Sequence, residues 1–186
     1  MKPNRKTAII VGALILIAYG VLVSIITQSK IPVMIADVIS GFAVIGIAVL
    51  IFPFFKISNK LRITYLSLKI VEGTLMVIGG ILFLINSSMR DWIYSGIHLY
   101  VFIVSAFIFY YLLYKSKIVP RFISVWGAIA IFSLLLITIL NLINFSYPPL
   151  EFLLILIITN EVFLAIWLMI KGFNLSAINS KSTKTK

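Results

Sequence analysis

The sequence predicts an all-α polytopic membrane helix bundle with six transmembrane helices and both the N and C termini cytoplasmic. Three observations carry this expectation. Of 186 residues, 62% are hydrophobic and 11% charged, whereas a soluble domain carries about 25% charged residues. No water-facing shell can be built from such a chain, so its apolar residues face lipid. Six apolar runs each reach the roughly 20 residues that a bilayer-spanning helix needs. Basic residues mark alternate connections between those runs, as the positive-inside rule requires.

The runs cover about residues 7–27, 33–55, 62–85, 92–114, 121–144 and 149–170. The first follows a basic N-terminus, Met1 to Lys6, that resembles a secretion signal. Its apolar stretch from Thr7 to Thr27 is too long for a signal core and no small-x-small cleavage site follows, so it reads as an uncleaved first span. Short polar punctuation separates the runs: Gln28-Ser29-Lys30, Lys56 to Lys60, Asn86 to Arg90, Lys115-Ser116-Lys117 and Ser146 to Pro149. Such short connections make sequence neighbours antiparallel neighbours in space. Residues 1–175 read as one domain without internal repeats, and the polar tail 176–186 is expected to be disordered.

Orientation follows from charge. Thirteen of the sixteen basic residues fall at the termini and the second and fourth connections, leaving Lys30 and Arg90 on the other side and Lys69 inside a span. Asp37, Asp91 and Glu151 fall near the outer surface, while Glu72 and Glu161 lie within spans. Trp92, Tyr94 and Tyr147 suit the outer interface, and Tyr110, Tyr111, Tyr114, Trp126 and Trp167 the inner one. The net charge of +11 is therefore topological. Its partners are the lipid bilayer and the anionic lipid headgroups on the cytoplasmic side, not nucleic acid. The expected location is the cell membrane, multi-pass. With no cysteine, disulfides, thiol catalysis and thiolate metal sites are excluded. The sequence names no cofactor, and a protein partner or a homo-oligomer stays open.

Ionisable groups inside a span are the strongest functional signal, because each costs about 2.5–3.5 kcal/mol to insert. Lys69 and Glu72 stand three residues apart, hence on one helix face, with Tyr65, Met76 and Gly79 in line and Gly73 and Gly80 beside them. This stripe should face other helices. Glu161, beside Asn160, lies about halfway through span six, at a depth similar to Glu72. Lys69, Glu72, Asn160 and Glu161 are thus expected to form one buried network. Two carboxylates close together disfavour double ionisation and can share a proton. The functional reading is a proton relay or a cation or amine site. The plainer reading is a network that locks the bundle together.

His98, the only histidine, stands on a polar face with Asp91, Ser95, Phe102 and Ser105. It could carry a proton or act as a general base. A metal site is not expected, since the remaining carboxylates show no ligand spacing. By helix rise His98 falls roughly 10 Å outward of Glu72, so it reads more simply as a histidine bonded to a neighbouring helix. Lys115, Lys117 and Arg121 around Pro120 could bind a lipid headgroup or phosphate, with Pro120 suiting a first helical turn. No glycine-rich nucleotide loop, nucleophile elbow or zincin pair is present.

Several segments resemble a bacterial membrane family catalogued as domain of unknown function 4386. These are Tyr114-Lys115-Ser116-Lys117-Ile118-Val119-Pro120-Arg121-Phe122 with Trp126-Gly127, Lys69-Ile70-Val71-Glu72-Gly73, His98-Leu99, and Glu161 followed by Ala165, Trp167-Leu168 and Lys171-Gly172-Phe173. The family usually has Arg where this chain has Lys69. The resemblance covers residues from about 60 onward. It implies a six-helix membrane protein and groups Glu72, His98, Arg121 and Glu161 as one set, but supplies no activity. Three functions remain in view: a module that binds or moves a small ligand, proton or cation through the Glu72–Glu161 region; an intramembrane enzyme on a lipid-like substrate; and a non-catalytic partner or sensor subunit. The first is favoured.

Overall fold

The chain's punctuation sets where its helices begin and end. In the computed structural model, which describes residues 3–27, 29–145 and 152–174, helix α1 (Pro3–Ala18) tightens into a 3₁₀ turn, Tyr19–Leu22, and continues as the short α2 (Val23–Ile26). Helix α3 (Lys30–Ile51) ends in a second 3₁₀ turn around Pro53. Ser58 then caps α4 (Asn59–Ile85), its Oγ accepting from the Leu61 N–H at 3.4 Å. Asn86 closes α4 and opens α5 (Ser87–Trp92), its Oδ1 accepting from the Ser88 N–H at 2.9 Å. A π-helical segment, Ile93–His98, leads into α6 (Leu99–Ser116). Lys117 stops α6 in the left-handed region (φ 57°), and Pro120 precedes α7 (Arg121–Leu142). Helix α8 (Leu154–Ile170) is followed by Gly172 at φ 74°.

Among the described residues, five continuous helical stretches are long and apolar enough to cross a membrane: Asn4–Ile26, Lys30–Phe54, Asn59–Ile85, Ser87–Ser116 and Arg121–Leu142. The expected sixth span corresponds to α8, whose described helix has 17 residues. Residues 149–151 of that expected span, and the tail 176–186, lie outside the described residues. This is the architecture of a multi-pass integral membrane protein.

The helices pack as a closed ring in chain order, α1 on α3, α3 on α4, α4 on α6, α6 on α7, α7 on α8 and α8 back on α1. Within a bilayer, packing contacts and interhelical hydrogen bonds hold such a bundle, because lipid is as apolar as leucine. Helices α3 and α4 approach closely. A Cβ on Gly41 would stand 2.5 Å from the Gly73 carbonyl oxygen, and a Cβ on Gly73 equally near that of Gly41. The stripe expected to face other helices does so: Tyr65, Glu72, Gly73, Met76, Gly79 and Gly80 are all buried.

The middle of the ring is filled at its basic end, the end that carries Lys56, Lys60 and Lys115. Tyr65 stacks on Phe109 (5.5 Å between centroids), and Phe55 meets both edge-on at 5.8 and 6.2 Å. Tyr110 meets Phe109 edge-on at 5.3 Å. We expect Gly73→Ala and Gly41→Ala each to destabilise the protein in detergent by about 1–3 kcal/mol through overpacking. Gly96→Ala, which meets nothing within 4 Å, is the control. Equal melting temperatures for all three variants would remove the close α3–α4 contact as a determinant of stability.

Candidate functional site

Helix α4 brings the first two charges together. Lys69 Nζ lies 2.9 Å from Glu72 Oε1, one turn along the same face. The second carboxylate oxygen, Oε2, accepts a 2.7 Å hydrogen bond from Ser105 Oγ on α6. Glu72 is 2% exposed, and both its oxygens are engaged. Glu161, on α8, receives a 2.9 Å hydrogen bond from the Tyr19 hydroxyl at Oε2. Tyr19 stands where α1 tightens into its 3₁₀ turn.

His98 reaches the same region because the helix around it is not α. Through Ile93–His98 the backbone is π-helical, a rare form that widens the turn and often marks functional segments. The α-helical face that groups His98 with Asp91 and Ser95 is thereby re-phased. Asp91 and Ser95 are exposed, with Ser95 Oγ bonded to the Asp91 carbonyl at 2.7 Å. The His98 ring lies between Tyr94 (4.8 Å) and Phe102 (6.5 Å), and Lys69 Nζ sits 5.2 Å from the Phe102 ring centre.

Lys69, Glu72, His98 and Glu161 line one cavity of about 240 Å³ between the first span, α3, α4, α6 and α8, together with Tyr19 and Tyr65. The remaining wall is mostly aliphatic and aromatic, including Met76, Phe102 and Phe109. Two polar atoms on it, Tyr65 OH and His98 Nε2, are buried without a hydrogen-bond partner.

Asn160 does not join the network expected of it. It is fully buried, and its Nδ2 donates to the Ile123 carbonyl of α7 at 3.0 Å. Successive helical residues diverge by roughly 100°, so Glu161 can face the cavity only while Asn160 faces α7. Lys115, Lys117 and Arg121 are all exposed. Lys115 lies over Tyr111 (5.7 Å) and Arg121 over Tyr114 (5.0 Å).

A second polar cluster was not legible as a cluster. Asp37, expected near the outer surface, is 0% exposed. Arg90 clasps it with Nε at 2.7 Å from Oδ2 and Nη2 at 3.1 Å from Oδ1, and Nη2 also donates to Ser24 Oγ at 3.2 Å. Tyr94 lies beneath the guanidinium at 4.4 Å. Lone opposite charges on the same side of the expected bilayer were the available signal, but the neighbouring Asp91 was an equal candidate.

Fold and cavity together define a helical membrane protein that encloses a polar site within its bundle. Residues 81–172 match the family model described as Domain of unknown function (DUF4386), the family that the sequence resembles. No curated protein and no solved structure matches the chain. The matched stretch contains His98, Ser105, Arg121 and Glu161, while Lys69 and Glu72 precede it.

Two outcomes test the geometry. Glu72→Gln should destabilise the protein, because it leaves the partly buried Lys69 without its counter-charge. Glu161→Gln keeps the Tyr19 bond and should leave thermal stability level or raised. A sharp fall for Glu161→Gln would make it part of the scaffold. Separately, Asp37→Ala should cost about 3–5 kcal/mol, much of it recovered when Arg90→Met is added. A double-mutant cycle of unfolding in detergent reads this coupling, and additive losses would refute it.

Proposed function

We propose that the protein is a multi-pass protein of the cell membrane that binds a small ligand inside its helix ring, with Lys69, Glu72, His98 and Glu161 forming the polar part of the site. The observation that carries this reading is the cavity itself. Charged groups whose only task is to lock helices need no space between them, yet here they border about 240 Å³. An apolar wall with a few convergent polar groups is the usual make-up of a small-molecule site.

Entry from the bilayer is supported by Leu22 and Ile158. Both line the cavity, and both are exposed on the surface of the bundle, at 37% and 38%. The basic end faces the cytoplasm in this reading, with Lys115, Lys117 and Arg121 against anionic headgroups. Both termini are then cytoplasmic.

The test fills the cavity without touching its charges. Ala106 lines it and is 2% exposed. Wild-type protein in lipid nanodiscs should give saturable magnetisation transfer to indole, and Ala106→Phe should lose it while remaining folded. Transfer that persists unchanged in Ala106→Phe would place the probe on the lipid-facing surface and end this reading.

A further inference from the structure

We infer that the ligand of this cavity is a protonated amine: a small ammonium ion attached to a flat apolar group, with its N–H groups on Glu161 and its apolar part on the floor formed by Tyr65 and Phe109. This rests on the proposal that the cavity binds a ligand, and adds the chemical class.

Charge comes first. The wall carries one lysine and two carboxylates. Lys69 is spent on Glu72, and Ser105 occupies the other oxygen of that carboxylate. Glu161 has only the Tyr19 hydroxyl on Oε2, and no basic side chain of the described residues pairs with it. A carboxylate in an apolar enclosure is stabilised by a cation that also donates hydrogen bonds. An anionic ligand would meet a surplus of negative charge and a lysine already engaged.

Hydrogen-bonding capacity points the same way. The Tyr65 hydroxyl is fully buried, lines the cavity and has no partner. Its oxygen can accept an N–H, as the free Glu161 oxygen does. An ammonium group is donor-only and suits such a set. A hard metal ion is a poorer match, since it takes six or more oxygen ligands. Shape completes the argument. Tyr65 and Phe109 offer stacked rings, and aromatic faces attract both apolar groups and cations. A cavity of about 150 Å³ holds benzene, so 240 Å³ takes one ring with a short aminoalkyl arm.

The experiment compares 2-phenylethylamine with its neutral counterpart 2-phenylethanol at neutral pH, by saturation-transfer titration of the full chain. Nanodiscs of phosphatidylcholine alone avoid attraction of the amine to anionic lipid. The amine should bind wild-type protein roughly tenfold or more tightly than the alcohol, the range of a hydrogen bond to a charged group. Glu161→Gln should erase that preference, while Glu161→Asp should retain it. Matched thermal unfolding of the variants shows that they are folded. Equal binding of the two probes to wild type, or a preference that survives Glu161→Gln, overturns the ammonium assignment and leaves the cavity reading standing. If neither probe binds, both fail.

Discussion

Within the hydrocarbon core no water is available to polar groups, so each one must find its partner inside the protein. The ring of helices is organised by that constraint. Ser40 of α3 reaches the Ile17 carbonyl of α1, Glu72 of α4 takes the Ser105 hydroxyl of α6, Asn160 of α8 holds the Ile123 carbonyl of α7, and Glu161 of α8 takes Tyr19 at the end of α1. Glycines allow close packing at the other two seams, beside the 2.9 Å bond from Lys30 Nζ of α3 to the Leu84 carbonyl of α4. Gly41 meets Gly73 between α3 and α4, and the Tyr110 ring of α6 lies directly on Gly127 of α7. Each of the six neighbouring pairs thus has its own device, and the cavity lies between the first span, α3, α4, α6 and α8.

The two non-α segments decide what faces that space. The 3₁₀ turn at Tyr19–Leu22 tightens the first span at the level where the Tyr19 hydroxyl meets Glu161. The π-helical Ile93–His98 lets Arg90, Tyr94 and His98 all turn inward, although a uniform α-helix would send Asp91 and Ser95 with His98. One widened turn therefore serves both polar clusters, the Arg90–Asp37 pair at one end of the ring and the cavity below it.

The segments that carry the family resemblance divide between site and scaffold. Glu161 borders the cavity. Trp167 instead joins Phe122 and Phe163 in an aromatic group on the outer face of α7 and α8, at 6.3 and 6.2 Å. Gly172 takes the positive φ that ends α8 and turns the chain, which lets Phe173 pack on Phe54 at 4.5 Å and the Asn174 N–H reach the Ile118 carbonyl at 2.8 Å. The Lys171-Gly172-Phe173 stretch closes the basic end of the bundle and lies apart from the cavity.

The sequence by itself determined the class of protein, its succession of apolar helices and the inward stripe on α4, because hydropathy and helical periodicity are properties of neighbouring residues. It also pointed to Lys69, Glu72, His98 and Glu161, since charge or imidazole inside a span is rare for an energetic reason that needs no structure. Partners were a different matter. That Tyr19 serves Glu161, that Arg90 chooses Asp37, that Asn160 turns away to α7 and that Tyr65 keeps a free hydroxyl beside a cavity all depend on distances between helices far apart in the chain. A short-range pattern carries no information on such distances. They are decided only when six helices close into a ring and every buried polar atom has to be satisfied, or left facing a space, by whatever its neighbours present.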